Sequence, residues 1–422
     1  MNRILVAVTA VLALWAPAAC GSADTDPTSS TTVELFGPFR GEEAELLARS
    51  LEPFTEATGI AVRYTGTGAF VTDLEAQVRA AAPPDIAFIP QPGLVRDLAA
   101  AGELVPLGEP TLAAIDTHYD EAAASLGEVD GTPVAVPFRA SVKSLIWYRP
   151  SEFDRLELAV PADLAELVAL IDQVTDQGIE PWCLGIEAQG ATGWVATDWT
   201  EDLLLRLAGP DTYDGWIDGS VRFDDPAVAQ AFEGFRALAL DPGRSSGGIA
   251  GILETSTRDA AAALFDTPAT CLLHRQGSIA WSWFPDGLEF GTDVDVFVFP
   301  TAQAGDEPPL VLGSTSAVAF SDRPEVEALM AHLATPGSVR EWAEAGGFTS
   351  PQHNPGYDLP PVDRAVQELL DTATVVRPDA SDSMPAAIGT SLLWSEITAW
   401  VADTQSYVDF AATMDAAVDD LG

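Results

Sequence analysis

The fold of this 422-residue chain is decided by residues 32–90, TVELFGPFRGEEAELLARSLEPFTEATGIAVRYTGTGAFVTDLEAQVRAAAPPDIAFIP. Apolar residues in this stretch switch repeatedly between the alternating period of a strand and the longer period of a helix. Pro83 and Pro84 end the last helical pattern directly before a short apolar run. The strand patterns cover residues 32–36, 60–64 and 85–90, and the helical patterns cover residues 41–58 and 70–82. This order predicts a parallel sheet with helices on its faces.

Ligands of such sheets bind beyond the carboxyl ends of the strands. The loops that follow the three strand patterns cover residues 37–40, 65–70 and 91–93. Phe39, Arg40 and Gln91 lie in these loops, which makes them candidate ligand contacts; the alternative is that they are ordinary loop positions.

A second α/β half follows, because the pattern changes after residue 127 and a new series of elements begins. Helical patterns cover residues 161–177, 198–208, 225–239 and 324–334, strand patterns cover residues 271–274, 293–299 and 310–320, and the chain is mostly helical from residue 362. We therefore expect two α/β lobes joined by more than one chain crossing. The predicted first lobe comprises residues 33–140 and 302–348, and the second comprises residues 141–301 and 349–422.

The N-terminus has the features of an export signal. A basic start and a short apolar run are followed by small residues and Cys20, so residues 1–19 are predicted to be a signal peptide. The small residues before Cys20 resemble a bacterial lipobox, which implies a lipid on its sulfur. The polar residues 20–32 would then be a flexible tether. The expected location is the outer face of the cell membrane; the alternative is an ordinary signal peptide with an incidental cysteine.

The charge of the chain excludes several partners. Twenty basic residues stand against 64 acidic ones, a net charge of −44, which would repel nucleic acid and anionic membrane surfaces. So many carboxylates also remove the value of any carboxylate pair as a sign of a glycosidase or metal site. The four histidines show no metal-ligand spacing. We expect no metal and no cofactor.

Two cysteines remain if Cys20 is acylated. Cys183 and Cys271 would then be an even pair in an oxidising compartment, which predicts a disulfide between them. The alternative is two buried free thiols.

Five further segments resemble the sugar-binding proteins of bacterial ABC importers, in the same order along the chain. They are VPFRASVKSLIWY at 136–148, PWCLGIEAQGATGWVATDWTED at 181–202, TCLLHRQ at 270–276, GGFTSP at 346–351 and DASDSMP at 379–385. The second segment resembles members of the α-glucoside type. The resemblance implies a type II periplasmic-binding-protein-like fold, with two α/β lobes, a hinge and an interlobe cleft. It also implies a monomer that closes on a sugar and delivers it to a membrane permease.

Aromatic residues are the first candidates for sugar contact, because a pyranose has an apolar face that stacks on a ring. Trp194 lies in a glycine-rich approach to a helix, and Trp394 matches an aromatic that lines the cleft in the resembling family. We predict that both rings stack on the ligand. Trp199, one turn further along, is expected to pack in the core.

Charged residues of the same segments are candidate hydroxyl ligands. Asp198 is a helix N-cap, a sugar contact, or both. Arg139 and Lys143, the single lysine, lie in the segment that resembles an interlobe crossing, so they reach the ligand or form buried ion pairs with nearby acids. His274 and Arg275 end a strand, which favours donors into the cleft over a structural pair.

One departure from the resembling family concerns ligand choice. Residues 312–316 read LGSTS, which places Ser314 and Thr315 where relatives often carry an acid that contacts the sugar. We expect both to contact the ligand.

Two other classes of function remain open. A lipid-anchored glycoside hydrolase would need two carboxylates in the cleft, but the chain has no GxSxG, HExxH or phosphate-binding loop. A receptor for a charged solute would need a cleft lined to suit that charge. The aromatic and amide-rich segments favour a neutral polyol.

Overall fold

The predicted strands and helices form two sheets with helices packed against them. The computed structural model describes residues 31–421. The strands are β1 Thr32–Gly37, β2 Ala61–Gly66, β3 Ile86–Ile89, β4 Glu128–Val129, β5 Thr132–Pro133, β6 Ala135–Val142, β7 Leu145–Tyr148, β8 Glu180–Trp182, β9 Cys271–Arg275, β10 Asp295–Val298, β11 Leu310–Ala319 and β12 Val376–Pro378.

Helices lie in six of the eleven connections between consecutive strands. They are α1 Glu42–Thr58, α2 Phe70–Arg79, α3 Pro92–Ala100, α4 Glu109–His118, α5 Glu121–Ser125, α6 Pro150–Leu156, α7 Leu164–Asp176, α8 Trp194–Ala208, α9 Pro210–Asp218, α10 Pro226–Phe235, α11 Gly248–Glu254, α12 Pro324–Leu333, α13 Arg340–Ala345, α14 Pro361–Thr372, α15 Ala380–Ser383, α16 Trp394–Val401 and α17 Tyr407–Leu421. The helix predicted from residue 198 therefore begins four residues earlier, at Trp194.

The first sheet has six strands in the order β12-β11-β3-β1-β2, with β6 also paired to β11. The predicted parallel arrangement holds for β1, β2 and β3. The sheet as a whole is mixed, because β11 runs antiparallel to both β3 and β6. Buried residues of α1, β3 and α13, among them Leu47, Phe88 and Trp342, form the core on one face of this sheet.

The second sheet has four strands in the order β10-β7-β9-β8. It packs against the helices α7 to α11, α16 and α17, and the largest hydrophobic core lies there, with Trp182, Trp199 and Phe232 fully buried. Trp199 thus packs as expected: its ring lies 5.2 Å from that of Phe235. The two sheets and their separate cores show the two-lobe α/β fold predicted from the sequence.

The chain passes between the sheets at Lys143 and Ser144. These residues separate β6 of the first sheet from β7 of the second. The backbone N–H of Lys143 donates to the carbonyl of Val311, 2.8 Å away, so β11 lies beside this crossing. This crossing lies within residues 136–148, the segment that resembles an interlobe crossing. The exact residue limits of the two lobes stay a prediction.

A disulfide joins Cys183 and Cys271, as predicted, with Cα atoms 5.4 Å apart. Cys183 directly follows β8 and donates its N–H to Leu273 of the neighbouring strand β9. The bond therefore ties two adjacent strands and closes the chain around the helices α8 to α11.

Across residues 31–421, no helix is both long and apolar enough to span a membrane. Cys20, the predicted signal peptide and most of the predicted tether lie outside the described residues.

Candidate functional site

A cavity of about 540 Å³ lies between the lobes. Its first-lobe wall begins with the three loops that follow β1, β2 and β3, as the strand-end rule predicts. Its second-lobe wall is built from irregular backbone and helix starts. The lining includes residues 38–41, 67–72, 90–91, 139–141 and 313–315 from the first lobe, and residues 187–191, 256–259 and Trp194, Trp283 and Trp394 from the second. This volume suits a small organic ligand.

Three tryptophan rings reach the cavity. Trp194 is the first residue of α8 and Trp394 the first of α16, so both predicted platforms line the cleft. Gly193 allows this approach, because a Cβ at that position would lie 2.3 Å from the carbonyl oxygen of Trp394 and its φ of +111° suits glycine. Trp283 is a third ring, which the sequence patterns did not single out.

Several buried polar atoms at the cavity lack a partner among the described residues. They are Arg40 Nε, Gln91 Oε1, Arg139 Nε and Trp283 Nε1. Buried polar groups are normally hydrogen-bonded, so such atoms are available to a ligand or to water. Three are donors and one is an acceptor, a combination that suits hydroxyl groups.

Lys143 lies in the floor of the cavity against three acids. Its Nζ donates to Asp198 Oδ1 at 3.0 Å and to Asp379, and lies 4.0 Å from Asp382 Oδ2. Burial opposes the charge on Lys143, but these three carboxylates and that of Glu201 outweigh it and hold its pKa well above the usual value. Its Nζ also lies 4.9 Å from the ring centroid of Trp194. The two alternatives for Lys143 thus coexist: it forms buried ion pairs and lines the cleft.

Asp198, His274 and Arg275 are not among the residues that line the cavity. Arg275 is fully buried and binds Asp198 at 3.0 Å and Asp202, and His274 Nδ1 lies 2.8 Å from the carbonyl oxygen of Cys183. Burial lowers the pKa of His274 to about 4, so it is neutral at physiological pH. The interpretation of these two residues as donors into the cleft is therefore wrong. His274 and Arg275 instead bond to groups that lie behind the residues lining the cavity.

The N-cap role considered for Asp198 is also wrong. Helix α8 is capped at Gly193, with no side chain bonded to its first N–H groups. Asp198 lies in the second turn, where burial raises its pKa to about 6 despite the nearby Lys143 and Arg275. It does not line the cavity itself but accepts a hydrogen bond from Lys143, which does.

Four other predicted residues, Phe39, Arg139, Ser314 and Thr315, also line the cavity. The Phe39 ring is buried, 5.0 Å from the ring of Trp342, so only part of it can meet a ligand. Arg139 is paired to Glu43 at 2.8 Å. Ser314 and Thr315 lie on β11 beside β6, with Thr315 opposite Arg139 in the register.

Three buried carboxylates, those of Asp198, Glu201 and Asp379, have oxygens within 4.8 Å of one another. Such a group could in principle hold a cation. Here Lys143 and Arg275 already neutralise part of its charge, and Glu201 accepts from the N–H groups of Ala380 and Ser381. Each of the three carboxylates thus already contacts a cationic side chain or a backbone N–H group among the described residues.

The chain forms two mixed sheets, each with its own hydrophobic core, and a cleft lies between them. These features define a two-lobe solute receptor of the type II periplasmic-binding-protein class. Residues 40–340 match the profile of the bacterial extracellular solute-binding proteins, and the chain belongs to that family.

Two relatives match over most of their length. The osmoprotective compounds-binding protein GgtB of Synechocystis sp. is 40% identical over 372 residues, which cover 87% of this chain and 88% of the relative. The alpha-glucosides-binding periplasmic protein AglE of Rhizobium meliloti is 36% identical over 402 residues, covering 92% and 87%.

Solved structures share the fold at low sequence identity. Maltose-bound MalE3 of T. maritima aligns with a TM-score of 0.73 at 18% identity, covering 93% of this chain and all of the other. The bacterial solute receptor AcbH aligns with a TM-score of 0.78 at 18% identity, covering 92% and 98%.

Proposed function

We propose that this protein captures an α-glucoside or another small neutral oligosaccharide and delivers it to the permease of an ABC importer. The observation that carries the proposal is the cavity itself: tryptophan rings lie beside buried, unpartnered hydrogen-bonding atoms from both lobes. Rings suit the C–H face of a pyranose and the polar atoms suit its hydroxyls. One of the two relatives is named for binding alpha-glucosides, which supports this class of ligand.

A thermal-shift screen tests this proposal. Maltose, trehalose and sucrose are compared with a dicarboxylate and a polyamine of similar size, because a ligand that binds only the folded state raises its melting temperature. A rise with at least one of the sugars alone supports the proposal. A rise with only the charged solutes would assign a non-sugar receptor, and release of reducing sugar from any disaccharide would assign a hydrolase.

Trp194→Ala is expected to weaken sugar binding by about 1–3 kcal/mol, because it removes a stacking ring from the cavity wall. Calorimetric titration with the sugar found in the screen measures the change. Trp199→Ala is the matched control: its ring is fully buried in the second lobe, so its loss lowers stability instead. An unchanged affinity for Trp194→Ala would show that this ring does not contact the ligand.

Membrane attachment is proposed to depend on Cys20. A lipid on its sulfur and the polar residues after it would hold the receptor at the outer face of the membrane as a monomer. In cells that export the protein, Cys20→Ser is expected to move it from the membrane fraction to the medium or periplasm, as fractionation and immunoblotting will show. A membrane-bound Cys20→Ser protein would contradict the proposed anchor.

A further inference from the structure

Glu43 connects the two lobes through a pair of arginines. It lies in the first turn of α1, and its Oε1 accepts from Arg139 Nη1 at 2.8 Å within the first lobe. Its Oε2 accepts from Arg258 Nη2, also at 2.8 Å. Arg258 belongs to the second lobe, where the neighbouring Thr257 donates its N–H to the carbonyl of Glu187. The Glu43–Arg258 pair therefore spans the cleft.

Each arginine is held by its own lobe. The guanidinium of Arg139 lies 4.9 Å from the ring centroid of Trp342 and donates to the carbonyl of Gly347. The guanidinium of Arg258 lies 5.0 Å from the ring centroid of Trp283. When the lobes separate, both arginines can keep these contacts, and of the two bonds to Glu43 only the one from Arg258 must break.

The Glu43–Arg258 bond can break and form again, because neither side chain is then left buried without a partner. A buried carboxylate that loses its only partner is strongly destabilised. Glu43 is 5% exposed but keeps Arg139 when Arg258 leaves, and the Arg258 side chain, 34% exposed, can be solvated. Burial opposes the charge on Glu43, yet the two arginines outweigh it and lower its pKa, so the carboxylate remains ionised.

A second place where the lobes meet, residues 68–69 against residues 189–190, shows no ion pair among the described residues. A Cβ on Gly68 of the first lobe would lie 2.1 Å from Gln189 Oε1 of the second, and one on Gly190 would lie 3.3 Å from Ala69 Cα. Glycine at both positions lets these loops approach by shape alone. Glu43 and Arg258 thus supply a directed charge pair across the cleft.

We propose that the Glu43–Arg258 pair is a closure latch, which sets the fraction of molecules whose lobes are closed before a ligand arrives. Closing then costs less binding energy, so the latch also raises affinity. Only this last consequence rests on the proposed sugar-binding function.

Small-angle X-ray scattering of the protein without ligand tests the latch. Arg258→Gln is expected to increase the radius of gyration, because the open state becomes more populated. Arg236→Gln is the matched control: Arg236 also pairs with an acid, Asp403 at 2.8 Å, and lies over a tryptophan ring, but entirely within the second lobe. This control should scatter like the unaltered protein. Identical scattering from Arg258→Gln and the unaltered protein would overturn the proposal.

Affinity separates a latch from a direct ligand contact. With maltose as the probe, Arg258→Gln is expected to raise Kd by about 5- to 50-fold. The same substitution in a Glu43→Gln background should add little, because the bond is already lost. A full additional loss in that background would assign Arg258 to ligand contact and overturn the latch. If maltose does not bind, the scattering comparison still decides the latch, so the two proposals fail separately.

Discussion

Lys143→Met is expected to lower the free energy of unfolding by about 3–5 kcal/mol. Methionine keeps most of the side-chain volume but removes the positive charge that Asp198 and Asp379 face at hydrogen-bond distance. These carboxylates are buried, so water cannot replace the lost partner. Urea denaturation at pH 7.5, followed by far-UV circular dichroism, measures the change.

The pH dependence of this loss checks its cause. A carboxyl whose folded pKa exceeds its unfolded value contributes stability below the unfolded pKa and loses it as pH rises through the folded pKa. Asp198 is such a carboxyl, because burial raises its pKa to about 6 in the folded protein. Removing Lys143, which lowers this pKa, would raise it further. The deficit of Lys143→Met should therefore shrink between pH 7.5 and pH 5. A deficit that is constant over this range would contradict the charge explanation.

Arg79→Met is the control for Lys143→Met. Arg79 forms an ion pair with Glu75 at 3.1 Å on the exposed surface of α2, where such pairs contribute less than about 0.5 kcal/mol. Its loss should be small at every pH. An equally small loss for Lys143→Met would show that the buried acids carry no charge that needs compensation.

Replacing Cys183 and Cys271 together by alanine is expected to cost about 2–5 kcal/mol of stability. The two residues are separated by 88 positions, so the disulfide restricts a long loop in the unfolded chain. That loop carries Trp194 and Arg258, two residues of the second-lobe wall of the cleft. Urea denaturation of the unaltered and double-alanine proteins gives the difference.

Reduction supplies the control for the disulfide. With dithiothreitol, the unaltered protein should denature at the midpoint of the double-alanine protein, and the double-alanine protein should not respond. Equal unfolding free energies without reductant would contradict a stabilising disulfide.

The sequence predicted the elements well where the signal was local. The strands β1, β2 and β3 and the helices between them follow directly from periodicity and from the Pro83–Pro84 break. The antiparallel course of β11 and the short strand β12 were not predicted, because pairing depends on where the chain returns after the second lobe. Pro378 in β12 further hides a strand pattern.

The sequence predicted the site residues for which the position along the chain also determines where the side chain points. Gln91 and Arg40 follow strand ends, and Trp194 begins a helix after a glycine, so all three reach the cavity. His274 and Arg275 also end a strand, but the rule gives the end of the strand and not the face to which a side chain points. In β9 every residue is buried, and these two bond to groups behind the wall.

Glu43 and Arg258 were missed for a different reason. Glu43 is one of 64 acidic residues and lies in a helix turn with two others, so nothing in the sequence distinguishes it. Arg258 lies in irregular backbone, where no period predicts its direction. Their meeting across the cleft depends on the arrangement of two lobes that the sequence specifies only through many distant contacts.

Isothermal titration calorimetry of the unaltered protein with maltose, trehalose and sucrose tests the central claim most directly. Capture of a small neutral oligosaccharide predicts saturable heat with one site per chain for at least one of these sugars, and no release of reducing sugar in the cell afterwards. Absence of saturable heat with all three, together with binding of a charged solute under the same conditions, would contradict it.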